Sequence, residues 1–292
     1  MSVSENFSSF CSNLNMSDAT IEKIQNRYKR ITKRINLEYW GTTSETSHSW
    51  YVGSYGRDTE IWTSDIDIIV QLPYSVYEKY NSYASNGQSA LLQDVKKSLQ
   101  KTYPTSHIKG DGQVIGIDFD DKINFEIVPS FIHEDKSFTY PDTNDGGTWR
   151  VTDPLREIEA MNAGNKLTNK NLKRLCRMAR AWKAQNDVNM SGILIDTLVY
   201  KFIVDWNYKD KSYLYYDYMS RDFFEYLKDI DKEKILWRAP GSNRYVYKNG
   251  LFQAKAKKAY DLAIEAISLE VKGYPYSAKQ KWREIYGTKF PK

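Results

Sequence analysis

Two aspartates one residue apart, Asp65 and Asp67 in SDIDIIV, are the residues of this sequence best placed for chemistry. On a β-strand, side chains two apart point the same way, so these carboxylates share one face while Ile66, Ile68 and Val70 share the other. The apolar face suits a core and turns the acids outward. Two adjacent carboxylates repel unless a cation stands between them, and for oxygen ligands on a rigid strand the natural cation is Mg²⁺. Taken alone, the two acids read as an exposed edge strand. The segment just upstream, Gly53-Ser54-Tyr55-Gly56-Arg57, changes that balance. Its glycines let backbone N–H groups close on a phosphate, and the Ser54 hydroxyl adds a donor. A phosphate cradle beside a pair of metal-binding carboxylates describes a nucleoside triphosphate site. A third carboxylate would hold a second metal and accept the proton of an attacking hydroxyl. Glu126 is the candidate: in INFEIVP, Ile123, Phe125 and Ile127 take the core face and Glu126 turns the other way. Asp118 and Asp120 are its rivals, because a slip of one residue in the strand register exchanges the two faces.

These residues need a scaffold. Ser17 and Asp18 are N-cap candidates for a helix in which Ile21, Ile24, Tyr28, Ile31 and Ile35 recur at steps of three and four. SWYVGSYG and DIDIIVQL read as strand, turn and strand, ending at Pro73. Leu91, Leu92, Val95 and Leu99 mark a second helix ahead of Pro104. In QVIGIDFDDKINFEIVPSF, residues 113–131, two β-branched runs flank Asp120, Asp121 and Lys122 and predict an antiparallel hairpin, with Pro129 expected to end or edge its second strand. Asp153 and Pro154 have the form of an N-cap and first helical residue, opening PLREIEAMNAG, which a glycine is expected to close. Helical spacing then continues through Leu172, Leu175, Met178, Ala179 and Trp182, through Leu194, Leu198 and Phe202, through Phe223, Phe224 and Leu227, and over 252–271. The reading is an α+β half, 1–150, and a helical half, 151–292, meeting in the polar loop DTNDGGTWRVTD, 142–153. The helix after Ser17 is long enough to pack across both.

The chain has 292 residues, of which 41% are hydrophobic and 14% aromatic, enough apolar material for a sizeable core and too much for a disordered or collagen-like chain. No run approaches the ~18 apolar residues of a membrane span, and the first residues lack a signal peptide's basic start and apolar core, so a cytoplasmic protein with no membrane partner is expected. Cys11 and Cys176 lie far apart, and His48, His107 and His133 are scattered, which argues against disulfides, zinc and a Ser/His/Asp hydrolase. Chemistry here rests on carboxylates. The net charge of +5 suits anionic ligands but falls short of a dedicated DNA binder.

GSYGRDTEIWTSDIDIIV resembles the nucleotidyltransferase signature of the polymerase-β superfamily, and more narrowly that of the bacterial cGAS/DncV-like nucleotidyltransferases (CD-NTases), which make cyclic oligonucleotide signals in the antiphage systems called CBASS. FEIVPSF resembles the family's third-acid strand, with Glu126 where Asp is more usual. RLCRMARAWKAQN followed by SGILIDTLVY resembles its helical segment, with Arg180 where Lys is more usual and Asp196 where Glu often stands; KWREIYGTKFP resembles its closing motif. The resemblance implies a bilobal cage, a polymerase-β-like nucleotidyltransferase sheet lobe and a helical lobe around a central cleft. It implies Mg²⁺ or Mn²⁺ in a two-metal site on Asp65, Asp67 and Glu126, and nucleotide contacts from Gly53, Ser54, Arg180, Lys183 and Ser191. It further implies joining of NTPs, ATP and GTP foremost, into a cyclic di- or trinucleotide with release of pyrophosphate, and a downstream effector that reads the product. Tyr140, Trp149 and Tyr200 are read as core rather than as base-stacking residues. Two other readings share the fold. A template-independent RNA or tRNA nucleotidyltransferase would need an RNA-binding surface, and no concentrated basic tract is present. An inactive sensor would have lost one of the acids, and all three are present.

Overall fold

The computed structural model describes residues 2–61 and 65–292. It begins with a helix that the periodicity did not announce, α1 (Val3–Asn13), where Ser2 and Glu5 form a reciprocal capping box and Phe7 and Phe10 are fully buried. The helix expected after Ser17 follows as α2 (Asp18–Tyr39), its Ser17 hydroxyl accepting from the Thr20 amide at 3.2 Å. Next come β1 (Ser49–Tyr51), the single turn α3 (Gly53–Gly56), β2 (Asp65–Gln71), α4 (Tyr74–Asn81), α5 (Gly87–Gln100), β3 (His107–Asp111), β4 (Val114–Asp118), β5 (Asn124–Ile132), β6 (Phe138–Asp142) and β7 (Thr148–Thr152). Residues 62–64, inside the nucleotidyltransferase-like motif, lie outside the described residues. The remainder comprises α6 (Pro154–Leu167), α7 (Asn171–Gln185), α8 (Gly192–Ile203), α9 (Tyr216–Lys228), β8 (Leu236–Arg238), β9 (Tyr245–Tyr247), α10 (Gln253–Val271) and α11 (Pro275–Tyr286). No helix among the described residues is long and apolar enough to cross a membrane.

The chain forms two compact units, and neither is one continuous stretch: among the described residues, one holds 16–56 and 65–155, the other 2–15, 57–61 and 156–292. The division expected near residue 150 therefore differs in its details. α1 joins the helical unit because its aromatic side chains complete that unit's core, Phe7 meeting Trp282 at 5.1 Å and Phe290 at 5.2 Å, and Phe10 meeting Tyr286 at 4.8 Å. The segment 142–153, expected as a polar boundary loop, contains β7, which pairs antiparallel with β6 from Phe138↔Thr152 to Asp142↔Thr148. β7 is a largely exposed edge strand, so it lacks the apolar alternation that would reveal it.

In the sheet unit the strand order is β1-β2-β5-β4-β3, with β6 and β7 extending from β5. β2 and β5 are parallel, which requires a long crossover; α4, α5 and the β3–β4 hairpin supply it. The other pairings are antiparallel, including the expected hairpin of β4 and β5. One face of the sheet packs Ile66, Ile68, Val70, Phe125 and Ile127 against Ile24, Ile31 and Ile35 of α2 and Leu91, Leu92, Val95 and Leu99 of α5. Pro129 does not end its strand. It lies inside β5 where the pairing partner changes, since β4 pairs with residues 125–127 and β6 with 131–132. A residue without an N–H is tolerated in that interval.

The helical unit surrounds Trp182, Phe223, Phe224 and Phe252, all essentially inaccessible. Gly164, expected to stop α6, lies within it; a side chain there would meet Tyr200 Cε2 at 2.7 Å and Leu172 Cδ1 at 2.9 Å, so this glycine permits close helix packing. Ala256, Ala259, Ala263 and Ala266 form the buried stripe of α10.

Candidate active site

The alternation in β2 places Ile66, Ile68 and Val70 in the core and leaves Asp65 exposed and Asp67 half-buried on the opposite face. β5 repeats the arrangement, with Phe125 and Ile127 buried on either side of a half-buried Glu126. Because the two strands are parallel and in register, Asp67 stands directly opposite Glu126 and Asp65 opposite Asn124. The alternative to Glu126, Asp118, ends β4, is partly exposed, and bonds His107 Nδ1 at 2.8 Å. Asp120 is an exposed residue of the turn beyond that strand. Register thus brings Glu126, rather than either rival, beside Asp67.

The segment read as a phosphate cradle is built against the same carboxylate. The Val52 amide donates to the Asp67 carbonyl at 2.9 Å, and the Gly56 amide to the Val52 carbonyl at 2.8 Å, closing α3. Gly53 has φ +59°, and a Cβ on it would fall 1.8 Å from Asp67 Oδ2. Only glycine lets the turn carrying Ser54 approach the carboxylate this closely.

Glu126 is held above its ordinary pKa by burial first, then by the charges of Asp67 and Asp65 and a hydrogen bond with Asp67; Lys109 works in the opposite direction. Lys109 on β3 lies opposite Gly116, which lies opposite Glu126, so the lysine shares a row of the sheet with the acids. Crowded carboxylates of this kind are what a divalent cation relieves, and an all-oxygen donor set suits a hard ion such as Mg²⁺. Among the described residues, no three His, Cys, Asp or Glu side chains already stand as a finished metal-ligand group. Holding an ion therefore entails turning Asp65, Asp67 and Glu126 toward a common point from strands that already place them side by side.

Arg180, Lys183 and Ser191 belong to the helical unit. Arg180 Nη1 donates to Asp196 Oδ1 at 2.5 Å, and its Nη2 to Asp196 Oδ2 at 3.0 Å and the Gly192 carbonyl at 3.2 Å. Lys183 is half-buried in the last turn of α7. Ser191 caps α8, its hydroxyl accepting from the Leu194 amide at 3.3 Å.

Sequence reasoning missed the network around Asp196. This fully buried carboxylate also accepts from Arg57 Nε at 2.9 Å and Thr59 Oγ1 at 2.9 Å, while Arg57 Nη1 reaches Glu157 at 3.3 Å. Burial alone would raise the Asp196 carboxyl, but Arg180 and Arg57 more than reverse it and hold the group well below the usual carboxylate range. One signal was available, a lone Asp in the otherwise apolar run GILIDTLV, which demands a charged partner when the helix is buried. Arg57 directly follows the cradle, so the network anchors the chain where it leaves α3.

A family model for the Second Messenger Oligonucleotide or Dinucleotide Synthetase domain matches residues 1–165. No curated protein matches the chain in sequence. Several solved structures share its fold. Escherichia coli CdnC, solved with ATP, has 15% identity and a TM-score of 0.68, with 99% of each chain covered. Bradyrhizobium diazoefficiens CD-NTase CdnG, solved with GTP, has 11% identity and a TM-score of 0.65 over 98% of this chain and 95% of that one. The Vibrio cholerae cyclic AMP-GMP synthase DncV, solved with a linear dinucleotide intermediate, has 16% identity and a TM-score of 0.63 over 99% of this chain and 87% of that one.

Proposed function

Since the chain belongs to the Second Messenger Oligonucleotide or Dinucleotide Synthetase family and is a nucleotidyltransferase with the polymerase-β-like fold of the CD-NTases, we propose that it joins NTPs into a cyclic di- or trinucleotide that serves as a signal in antiviral defence. ATP and GTP are the proposed substrates, in line with the ATP-bound CdnC and GTP-bound CdnG structures. The observation that carries this reading is the parallel register setting Asp67 opposite Glu126 with Gly53 against the Asp67 carboxylate.

Asp65, Asp67 and Glu126 would hold Mg²⁺ or Mn²⁺, which when bound neutralises the triphosphate and makes the attacking hydroxyl more acidic. The residues themselves divide the remaining work. Gly53 and Ser54 present backbone and hydroxyl donors to the phosphates and orient the α-phosphorus. Glu126, with its pKa raised by burial and by its acidic neighbours, takes the proton of the incoming ribose hydroxyl as the new O–P bond forms and pyrophosphate leaves with the electrons of the broken P–O bond. In the closing round the chain's own free ribose hydroxyl attacks the α-phosphorus of its remaining 5′-triphosphate, releasing a further pyrophosphate and completing the ring. Arg180 and Arg57, both engaged with Asp196, are assigned to anchoring the segment after the cradle, while Lys183 and Ser191 stand as further candidates for nucleotide contact.

The test is incubation with all four nucleoside triphosphates and Mg²⁺, phosphatase treatment and mass spectrometry. Phosphatase-resistant oligonucleotides are expected. Linear, phosphatase-sensitive chains alone would support an RNA-type nucleotidyltransferase instead, and absence of pyrophosphate release would support an inactive sensor.

A further inference from the structure

The helical unit contains a cavity of about 340 Å³ along α1 and the start of α7, and its lining includes Lys170, Lys173, Arg174 and Arg177 but only one carboxylate, Asp58. These four cations recur at i, i+3, i+4 and i+7, so they share a helix face. They also occupy the N-cap and first two turns of α7, where the helix dipole is already positive. For stability this is the wrong arrangement: like charges three and four apart repel, and cations favour the other end of a helix. Asp58 offsets only part of it. Lys173 Nζ reaches Asp58 Oδ2 at 3.3 Å and Asn162 Oδ1 at 2.6 Å, and Arg177 also pairs with Asp58. Lys170 and Arg174 have no carboxylate partner among the described residues; Arg174 lies 4.8 Å from the Tyr213 ring centroid and 3.3 Å from the Tyr216 hydroxyl. Cys11, which also lines the cavity, does not supply the missing anion, because burial pushes its thiol up to about 12 although Arg174 and Arg177 pull it down.

We propose that this cavity binds a small phosphorylated molecule, with Lys170 and Arg174 as the principal phosphate ligands and the Ser12 hydroxyl as a further donor. A partly open cavity whose volume lies at the lower end of the range for small-molecule sites, ~300–1,000 Å³, favours a compact polyphosphate or nucleotide over a nucleic-acid backbone, which would need an extended stripe of charge. Arginine and lysine at such spacing provide charge-assisted hydrogen bonds to phosphate oxygens. The site is built wholly from the helical unit and shares no residue with the carboxylates of β2 and β5.

The experiment is calorimetric titration of the full chain with inorganic tripolyphosphate in EDTA, so that no divalent ion recruits the probe to the carboxylates. Wild type, Lys170→Gln and Lys170→Gln/Arg174→Gln are compared, with citrate and a short RNA duplex as parallel titrants. Tripolyphosphate should bind the wild type, and the double variant should lose affinity by about tenfold or more. Its unfolding temperature without ligand should change little, the relief of like-charge repulsion offsetting the lost contacts of Arg174 with Tyr213 and Tyr216. Lys170 is exposed, so its single variant, expected to weaken binding by itself, keeps the test intact if the double variant is unstable. Equal affinity across the three proteins, or tighter binding of citrate or RNA than of tripolyphosphate, would overturn the proposal.

Discussion

Replacing Gly53 by alanine perturbs the proposed site through a single methyl group. That group would lie 1.8 Å from Asp67 Oδ2, 2.6 Å from Cγ and 3.0 Å from Cβ. Ordinary contact begins near 3.4 Å, so the carboxylate oxygen must retreat by about 1.6 Å. Misplacing a catalytic group by ~1 Å can cost ~10²-fold in rate, which sets the expected loss of pyrophosphate release in Gly53→Ala at about a hundredfold or more. The substitution also forces alanine into a backbone of φ +59°, at about 1–2 kcal/mol. Gly41→Ala isolates that second effect, because Gly41 has φ +63° and nothing within 4 Å of its missing side chain. Both variants should therefore lose similar stability by thermal denaturation, while only Gly53→Ala loses turnover in a continuous pyrophosphate assay. A folded Gly53→Ala with near wild-type rate, or an equal loss in Gly41→Ala, would refute the role given to the Asp67 carboxylate.

Asp196→Ala leaves Arg57 and Arg180 buried without their shared carboxylate, and should destabilise by about 3–5 kcal/mol in chemical denaturation; a neutral result would remove the anchoring role of the network. Glu60 offers a pH test. Its carboxyl is buried, with Oε2 lacking a hydrogen bond, and burial foremost pushes its pKa up to about 7. A carboxyl raised on folding contributes stability below its ordinary pKa and loses that contribution as pH rises toward the folded value. Glu60→Gln should therefore stabilise the protein at pH 8 by about 3 kcal/mol and have little effect at pH 5, as followed by thermal unfolding at both pH values.

The acidic face was legible because a period of two admits only two answers for each strand. In β2 and β5 the buried isoleucines and phenylalanine choose the same one, so Asp65, Asp67 and Glu126 emerge together. The pairing of Asp67 with Glu126 rather than with a β4 residue was not legible, since it depends on a crossover linking strands nearly sixty residues apart in sequence. The same limit explains why α1 went unannounced: Phe7 and Phe10 are two apolar residues in a short polar segment, and only their contacts with Trp282, Tyr286 and Phe290 reveal which core they serve. Lys109 and Arg57 were hidden for another reason. A single charge in a short polar segment reads as solvated until the sheet or helix bearing its partner is in place. The Arg180 guanidinium illustrates the converse, a cation whose position in a motif suggests a ligand and whose neighbours in the fold include Asp196.

The central claim is that Glu126 completes a carboxylate trio with Asp65 and Asp67, and the most direct measurement compares Glu126→Gln with Asp118→Asn and Asp120→Asn. Each variant is titrated with a non-hydrolysable NTP analogue and Mg²⁺, then assayed for oligonucleotide synthesis. A base that acts on the attacking hydroxyl matters more to chemistry than to donor binding. Glu126→Gln should therefore retain analogue binding through Asp65 and Asp67 while losing synthesis by about 10²–10⁴-fold, and the two aspartate variants should remain active. Full synthesis by Glu126→Gln, with activity lost in Asp118→Asn or Asp120→Asn, would contradict the assignment.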